Sequence, residues 1–126
     1  MANQDDNTVS VVDTTTHGVV NTIVVGSMGS NLFGVAVTPD GLHACVTNQA
    51  NSAVSVIDTA TQAVVNTIAV GSLPYGLAVT PYGLHAYVAN RNDNTASVID
   101  TATHAVVNTI AVGSIPTSFG ILWART

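Results

Sequence analysis

The chain contains no lysine and no glutamate. Its only cations are Arg91 and Arg125, set against seven aspartates, and the formal net charge is −5 at pH 7. Charged residues make up 7% of the chain, where an ordinary soluble protein carries roughly 25%. Binding to nucleic acid requires clustered Lys and Arg to neutralise phosphates, so no nucleic-acid partner is expected. The same shortage of cations argues against an anionic membrane surface. No apolar run approaches the length of a membrane span, so no membrane insertion is expected. No charged segment followed by an apolar one marks a signal peptide, and any export signal is expected to be absent or removed. The single cysteine, Cys45, has no partner for an internal disulfide. It occupies the position of Tyr87 in the following repeat, which gives it a buried apolar role. Aromatic residues are scarce, at 5%.

What the chain has in abundance is repetition. Ser55 to Pro74 reads SVIDTATQAVVNTIAVGSLP, and Ser97 to Pro116 reads SVIDTATHAVVNTIAVGSIP. A third copy begins at Ser10 as SVVDTTTHGVVNTIVVGS. Gly34, Pro39, Gly41, His43, Val46, Asn48 and Asp58 recur 42 residues later as Gly76, Pro81, Gly83, His85, Val88, Asn90 and Asp100. The step from Asp13 to Asp58 is 45, and the three extra residues fall in the loop Gly26–Gly34. A period of this size is the signature of a repeat architecture.

Each full unit holds four strand signals, rich in Val, Ile and Thr and divided by Gly, Pro, Asn and Asp. In the last unit they are 76–80 (A), 85–89 (B), 97–100 (C) and 105–112 (D). Pro81-Tyr82-Gly83 predicts the A–B turn. Asn90–Asn94 predicts a polar B–C loop. Asp100-Thr101-Ala102-Thr103 predicts a C–D turn in which the Asp carboxylate accepts from the backbone two residues on. The strands are apolar on both parities, as in Ala63-Val64-Val65, which predicts sheets covered on both faces. Four antiparallel strands per repeat of about 42 residues is the pattern of a β-propeller blade. A parallel solenoid would also bury both faces, but it has no need of a hairpin turn such as Pro39-Asp40-Gly41.

Cys45-Val46-Thr47-Asn48 and Tyr87-Val88-Ala89-Asn90 resemble the Y-V-T-N signature. They lie within G-[VL]-A-V-T-P-x-G-L-H-A-x-V-x-N, followed by S-V-[VI]-D-T-x-T. This is similar to the YVTN-family propeller repeats of bacterial and archaeal surface-layer and other exported proteins, and the likeness runs over nearly the whole chain. The resemblance implies an all-β propeller and an extracellular or cell-surface setting. Its relatives include surface scaffolds, lactonase-like enzymes and haem-containing reductase domains, so it leaves activity open. The chain departs from the family in carrying His43 and His85 where Lys or Arg is commoner.

The blades are expected at 34–75 and 76–118, with a partial blade at 1–33 and a final A-like strand at 119–126. Ala2-Asn3 aligns with Ala89-Asn90, the tail of a B strand. Counting from the first C strand, the chain has eleven strands, about three blades. Propellers usually have about four to eight blades. An open arc would expose an apolar blade face larger than the roughly few hundred Å² a soluble monomer tolerates, together with unpaired strand edges. The chain is therefore expected to pair with itself, two copies forming a six-bladed ring. The alternative is a fragment whose association is incidental.

Site candidates come from the residues that break the repeat. Tyr75 and Tyr82 are candidates for lining an exposed end of the ring, and Arg91 for joining them in binding a protein or glycan. Phe119 and Trp123 are candidates for the seam where the ring closes. His43 and His85 are repeat-equivalents, as are His17 and His104. Copies on different blades would lie too far apart to share a metal, and all four read as turn histidines. Asp5, Asp6 and Asp93 in the B–C loops could offer oxygens to calcium, but the middle copy, Asn48–Ser52, has no carboxylate. No catalytic motif and no cofactor site is evident. The favoured function is a non-enzymatic binding or structural scaffold. The alternative is a lactonase- or lyase-like enzyme with a metal or cofactor at the ring axis.

Overall fold

The computed structural model describes residues 1–3, 6–25 and 31–113. Among them there is no helix. Eleven strands follow one another among the described residues. The first sheet holds β1 (Ala2–Asn3), β2 (Thr8–Val12) and β3 (Val19–Val24). The second holds β4 (Leu32–Val37), β5 (His43–Asn48), β6 (Ala53–Asp58) and β7 (Ala63–Ala69). The third holds β8 (Pro74–Val79), β9 (His85–Asn90), β10 (Thr95–Asp100) and β11 (Ala105–Ala111). Within each sheet every strand pairs antiparallel with its neighbour in sequence, so each sheet is a meander. The pairing of Ala2 with Val9 and Asn3 with Thr8 makes β1 the tail of a B strand, as the alignment requires. The A strands begin at Leu32 and Pro74, two residues ahead of the boundaries expected from the repeat.

The three sheets stack as blades. β4 and β8 run close together while β7 and β11 stand further apart, so the A strands line the inside of the arc and the D strands its rim. Exposure agrees, because β11 is exposed along its whole length and β7 at every position but Ile68. Gly34 is what lets the inner strands close up. A Cβ there would come within 3.0 Å of the Tyr75 carbonyl.

Two apolar clusters hold the stack together. Val9, Ile23 and Val25 of the first blade pack on Leu32, Val46 and Ile57 of the second. Cys45, Val54, Val56 and Ile68 of the second pack on Leu77, Ala86, Val88 and Ile99 of the third. The middle blade is thus covered on both faces, and Ala53 to Ile57 are all buried. This is the physical reason that its C strand lacks polar/apolar alternation. Burying a Val or Ile side chain contributes about 1.5–3 kcal/mol, so these two interfaces carry much of the stability.

Thr47 adds a polar clasp between blades. Its hydroxyl accepts from the Gly34 N–H (2.7 Å) and donates to the Tyr75 carbonyl (2.9 Å), so it joins β4 of its own blade to β8 of the next. Thr47 is fully buried. The repeat places Ala89 and Ala2 at the equivalent positions, so the clasp occurs once in this chain. Replacing Thr47 with Val keeps the shape and strands both partners. This is expected to destabilise the chain by about 1–3 kcal/mol, measured as a lower urea midpoint with an unchanged m-value.

Candidate functional site

The ends of the blades carry different chemistry. At one end lie the A–B and C–D turns. Asp13, Asp58 and Asp100 hold the three C–D turns in the same way. Asp13 Oδ1 accepts from Thr15 and Thr16 N–H at 2.7 and 3.1 Å. Asp58 accepts from Ala60 and Thr61, both at 2.9 Å. Asp100 accepts from Ala102 and Thr103 at 2.8 and 3.0 Å. The backbone bond to each Asp carbonyl comes from His17, Gln62 or His104, each in the left-handed region at φ 61, 57 and 57°. That conformation suits His better than β-branched residues. Donated backbone N–H groups, from Thr16, Thr61 and Thr103 foremost, hold the three carboxyls below the usual 3.8. The sequence reading of a repeated Asp that builds a turn is what the structure shows.

The same end brings two histidines together. The ring of His43, at the start of β5, meets that of His104, in the C–D turn of the next blade. Their centroids are 5.2 Å apart and nearly perpendicular. Repeat-equivalent histidines do stay on separate blades, but comparing like with like missed this contact between unlike positions. No signal within a single repeat marks it, because a B-strand start meets the C–D turn of the next blade only through the offset between blades. Below the pair, Thr38, Cys45, Val56, Ile68, Ala86 and Ile99 close around a cavity of only about 10 Å³. Cys45 is buried as expected, and burial pushes its thiol up to about 11.

The other end carries the starts of the A strands and the B–C loops. Here Phe33 and Tyr75, equivalent residues of adjacent blades, stack with centroids 3.8 Å apart at 37°. The Arg91 guanidinium lies over the Tyr75 ring at 5.7 Å from its centroid, a cation–π contact. Tyr75 and Arg91 therefore belong to one cluster, with Phe33 as a member. Tyr82 does not join them. It is 90% exposed in the A–B turn beyond the far end of β8, so the two tyrosines do not line one end of the ring. The loop beneath the cluster is tied down. Arg91 N–H donates to the Leu73 carbonyl, Asn92 N–H to that of Ser72, and the Asp93 carboxylate accepts from Ser72 N–H at 2.7 Å. Asp93 thus serves the backbone of the preceding blade's connection.

Asparagines hold the B–C loops. Asn3 Nδ2 donates to Thr8 and Ser10, and Asn90 Nδ2 donates to Thr95 and Ser97. Among the described residues no group of three or more His, Cys, Asp or Glu comes together around a point. Asp5, Phe119 and Trp123 lie outside the described residues.

The turn carboxylates set a pH dependence. A lowered folded-state value means that each ionised Asp stabilises the fold above pH 3.8, and that this contribution is lost as the pH falls through the folded-state value. Replacing Asp13, Asp58 and Asp100 together with Asn keeps the acceptors and removes the charge. The triple variant is expected to melt below the wild type at pH 7. The two melting curves should converge as the pH is lowered towards the acid limit, as read by circular dichroism.

No family model matches the chain, and no curated protein does. Solved structures do match. Hydrazine synthase from Kuenenia stuttgartiensis superposes with a TM-score of 0.84 at 33% identity, over 90% of this chain and 32% of that one. Apo AztD from Citrobacter koseri gives 0.74 at 18% identity, over 89% and 31%. The RRP9 WD40 repeats give 0.76 at 14% identity, over 85% and 33%. The chain spans about a third of the length of each of these structures. The blade geometry and these likenesses agree on an all-β chain built of β-propeller blades.

Proposed function

We propose that the chain is a YVTN-type propeller module that serves as a rigid, non-enzymatic scaffold at a cell surface, its ring completed by a second copy. One observation supports the completion of the ring by a second copy, the contrast between equivalent positions on covered and open blade faces. Ile57 is 2% exposed against the first blade, whereas Val12, its counterpart on the open side of that blade, is 45% exposed. Ile68 is 5% exposed under the third blade, whereas Ile110, its counterpart on the open side, is 39% exposed. The first blade has three strands among the described residues, and a cavity of about 190 Å³ lies beside it, lined by Val11, Ile23, Ala44, Ile57 and Thr59. With three blades per copy, six is the multiple of three that falls within the usual range of about four to eight. The A-like segment 119–126, with Phe119 and Trp123, would then supply the missing inner strand of the first blade of the other copy.

Within such a ring, Phe33, Tyr75 and Arg91 would sit near the axis on one end of the ring. Stacked aromatic rings topped by a guanidinium suit the apolar face of a sugar or a peptide. Tyr82 would stand on the opposite end.

Sedimentation equilibrium at micromolar concentration tests the ring. The expected mass is twice 12.8 kDa, and Ile110→Asp, which buries a charge in the seam, is expected to return it to 12.8 kDa. A wild type that stays at the monomer mass refutes the proposal. The binding surface is tested on an immobilised panel of cell-surface glycans and extended peptides. Tyr75→Ala and Arg91→Ala are each expected to weaken retention about ten-fold, or roughly 1.4 kcal/mol, and Tyr82→Ala to leave it unchanged. Retention that none of the three alters would assign recognition elsewhere.

A further inference from the structure

The contact between His43 and His104 defines a rule for how neighbouring blades meet. His43 and Cys45 lie on the face of β5 that looks towards the third blade, because alternate residues of a strand share a face. His104 closes the C–D turn of the third blade and looks back. The other interface obeys the same orientation. Gln62, the middle blade's counterpart of His104, accepts from Asn21 Nδ2 of the first blade at 2.5 Å. In both interfaces, then, the last residue of a C–D turn faces the preceding blade.

Two histidines are left without a counterpart in the chain. His85 is the third blade's copy of His43. It shares a face of β9 with Tyr87, the copy of Cys45, and that face is the one turned away from the second blade. His17 is the first blade's copy of His104. It is exposed, with φ 61° in the same turn, on the side of the first blade that no other blade covers. One open face therefore offers the B-strand half of the observed pair, and the other open face offers the turn half. By repeat equivalence, Val98 and Ile110 stand to His85 as Val56 and Ile68 stand to His43, and Val12 and Thr14 stand to His17 as Ile99 and Thr101 stand to His104.

We infer that copies of this chain join head to tail, the third blade of one against the first blade of the next, with His85 of one copy meeting His17 of the other as His43 meets His104. This rests on the reading that a second copy completes the ring, and it specifies the seam. A face-to-face arrangement of like blades would instead bring His17 to His17 or His85 to His85. The head-to-tail seam is the one whose two sides already fit each other twice within the chain.

Short-range chemical linkage tests it. In a Cys45→Ala background, the double variant His17→Cys with His85→Cys is treated with the shortest bis-maleimide. An equal mixture of the two single variants is treated in parallel. Both samples are expected to give a covalent dimer of twice 12.8 kDa, at least ten-fold more than either single variant alone. The double variant His43→Cys with His104→Cys calibrates the reach, because it links within one chain and stays at 12.8 kDa. A sedimenting dimer that fails to link, or that links equally in a single variant, overturns the head-to-tail seam and the closed ring with it, and leaves self-association standing. A protein that sediments as a monomer overturns the underlying reading, and the seam with it.

Discussion

A sheet that is apolar on both faces is stable only between two neighbours, and the rest of this structure follows from that constraint. The middle blade meets it, with Val54, Val56 and Ile68 pressed to one side and Val46 and Ile57 to the other. The end blades meet it on one side each. On their other faces Val12 and Ile110, the copies of Ile57 and Ile68, stand exposed. Because each blade is nearly a copy of the next, the residues that pack between neighbouring blades recur at equivalent positions on the outer faces.

The polar residues in this frame spend their hydrogen bonds on geometry. Three aspartates hold three turns, and asparagines hold the B–C loops of the first and third blades. Thr101 donates to the Gly83 carbonyl, and Thr59 to that of Gly41, so the C–D and A–B turns of each blade are knitted together at one end. With few charges available, the chain builds rigidity from short neutral side chains and carboxylate–amide bonds. The stacked Phe33, Tyr75 and Arg91 stand at the end where the inner strands begin.

Much of the fold was legible in the sequence. The 42-residue period, the order of four strands and the Asx turns at Asp13, Asp58 and Asp100 all appear where the residues predicted them, because each rests on local propensities repeated in register. The expected A-strand starts were two residues late, since Leu32 and Pro74 extend the ladder into what looked like connecting loop. The site was less legible. Tyr75 and Arg91 were singled out for breaking the repeat, and they do meet. Phe33 was not among the candidates, although it occupies the same strand position as Tyr75 one blade away. Tyr82 went to the opposite end, because a strand of six residues separates the two ends by about 20 Å.

The sequence by itself determined the elements and their order, because hydrogen-bonded hairpins between neighbouring strands depend on turn chemistry and short-range pattern. Only the tertiary structure decided which unlike positions touch: His43 with His104, Thr47 with Gly34 and Tyr75, Asn21 with Gln62. Those contacts are set by the offset and rotation between successive blades. That offset arises from how two apolar faces interdigitate and is invisible in any single repeat, however many times the repeat is copied.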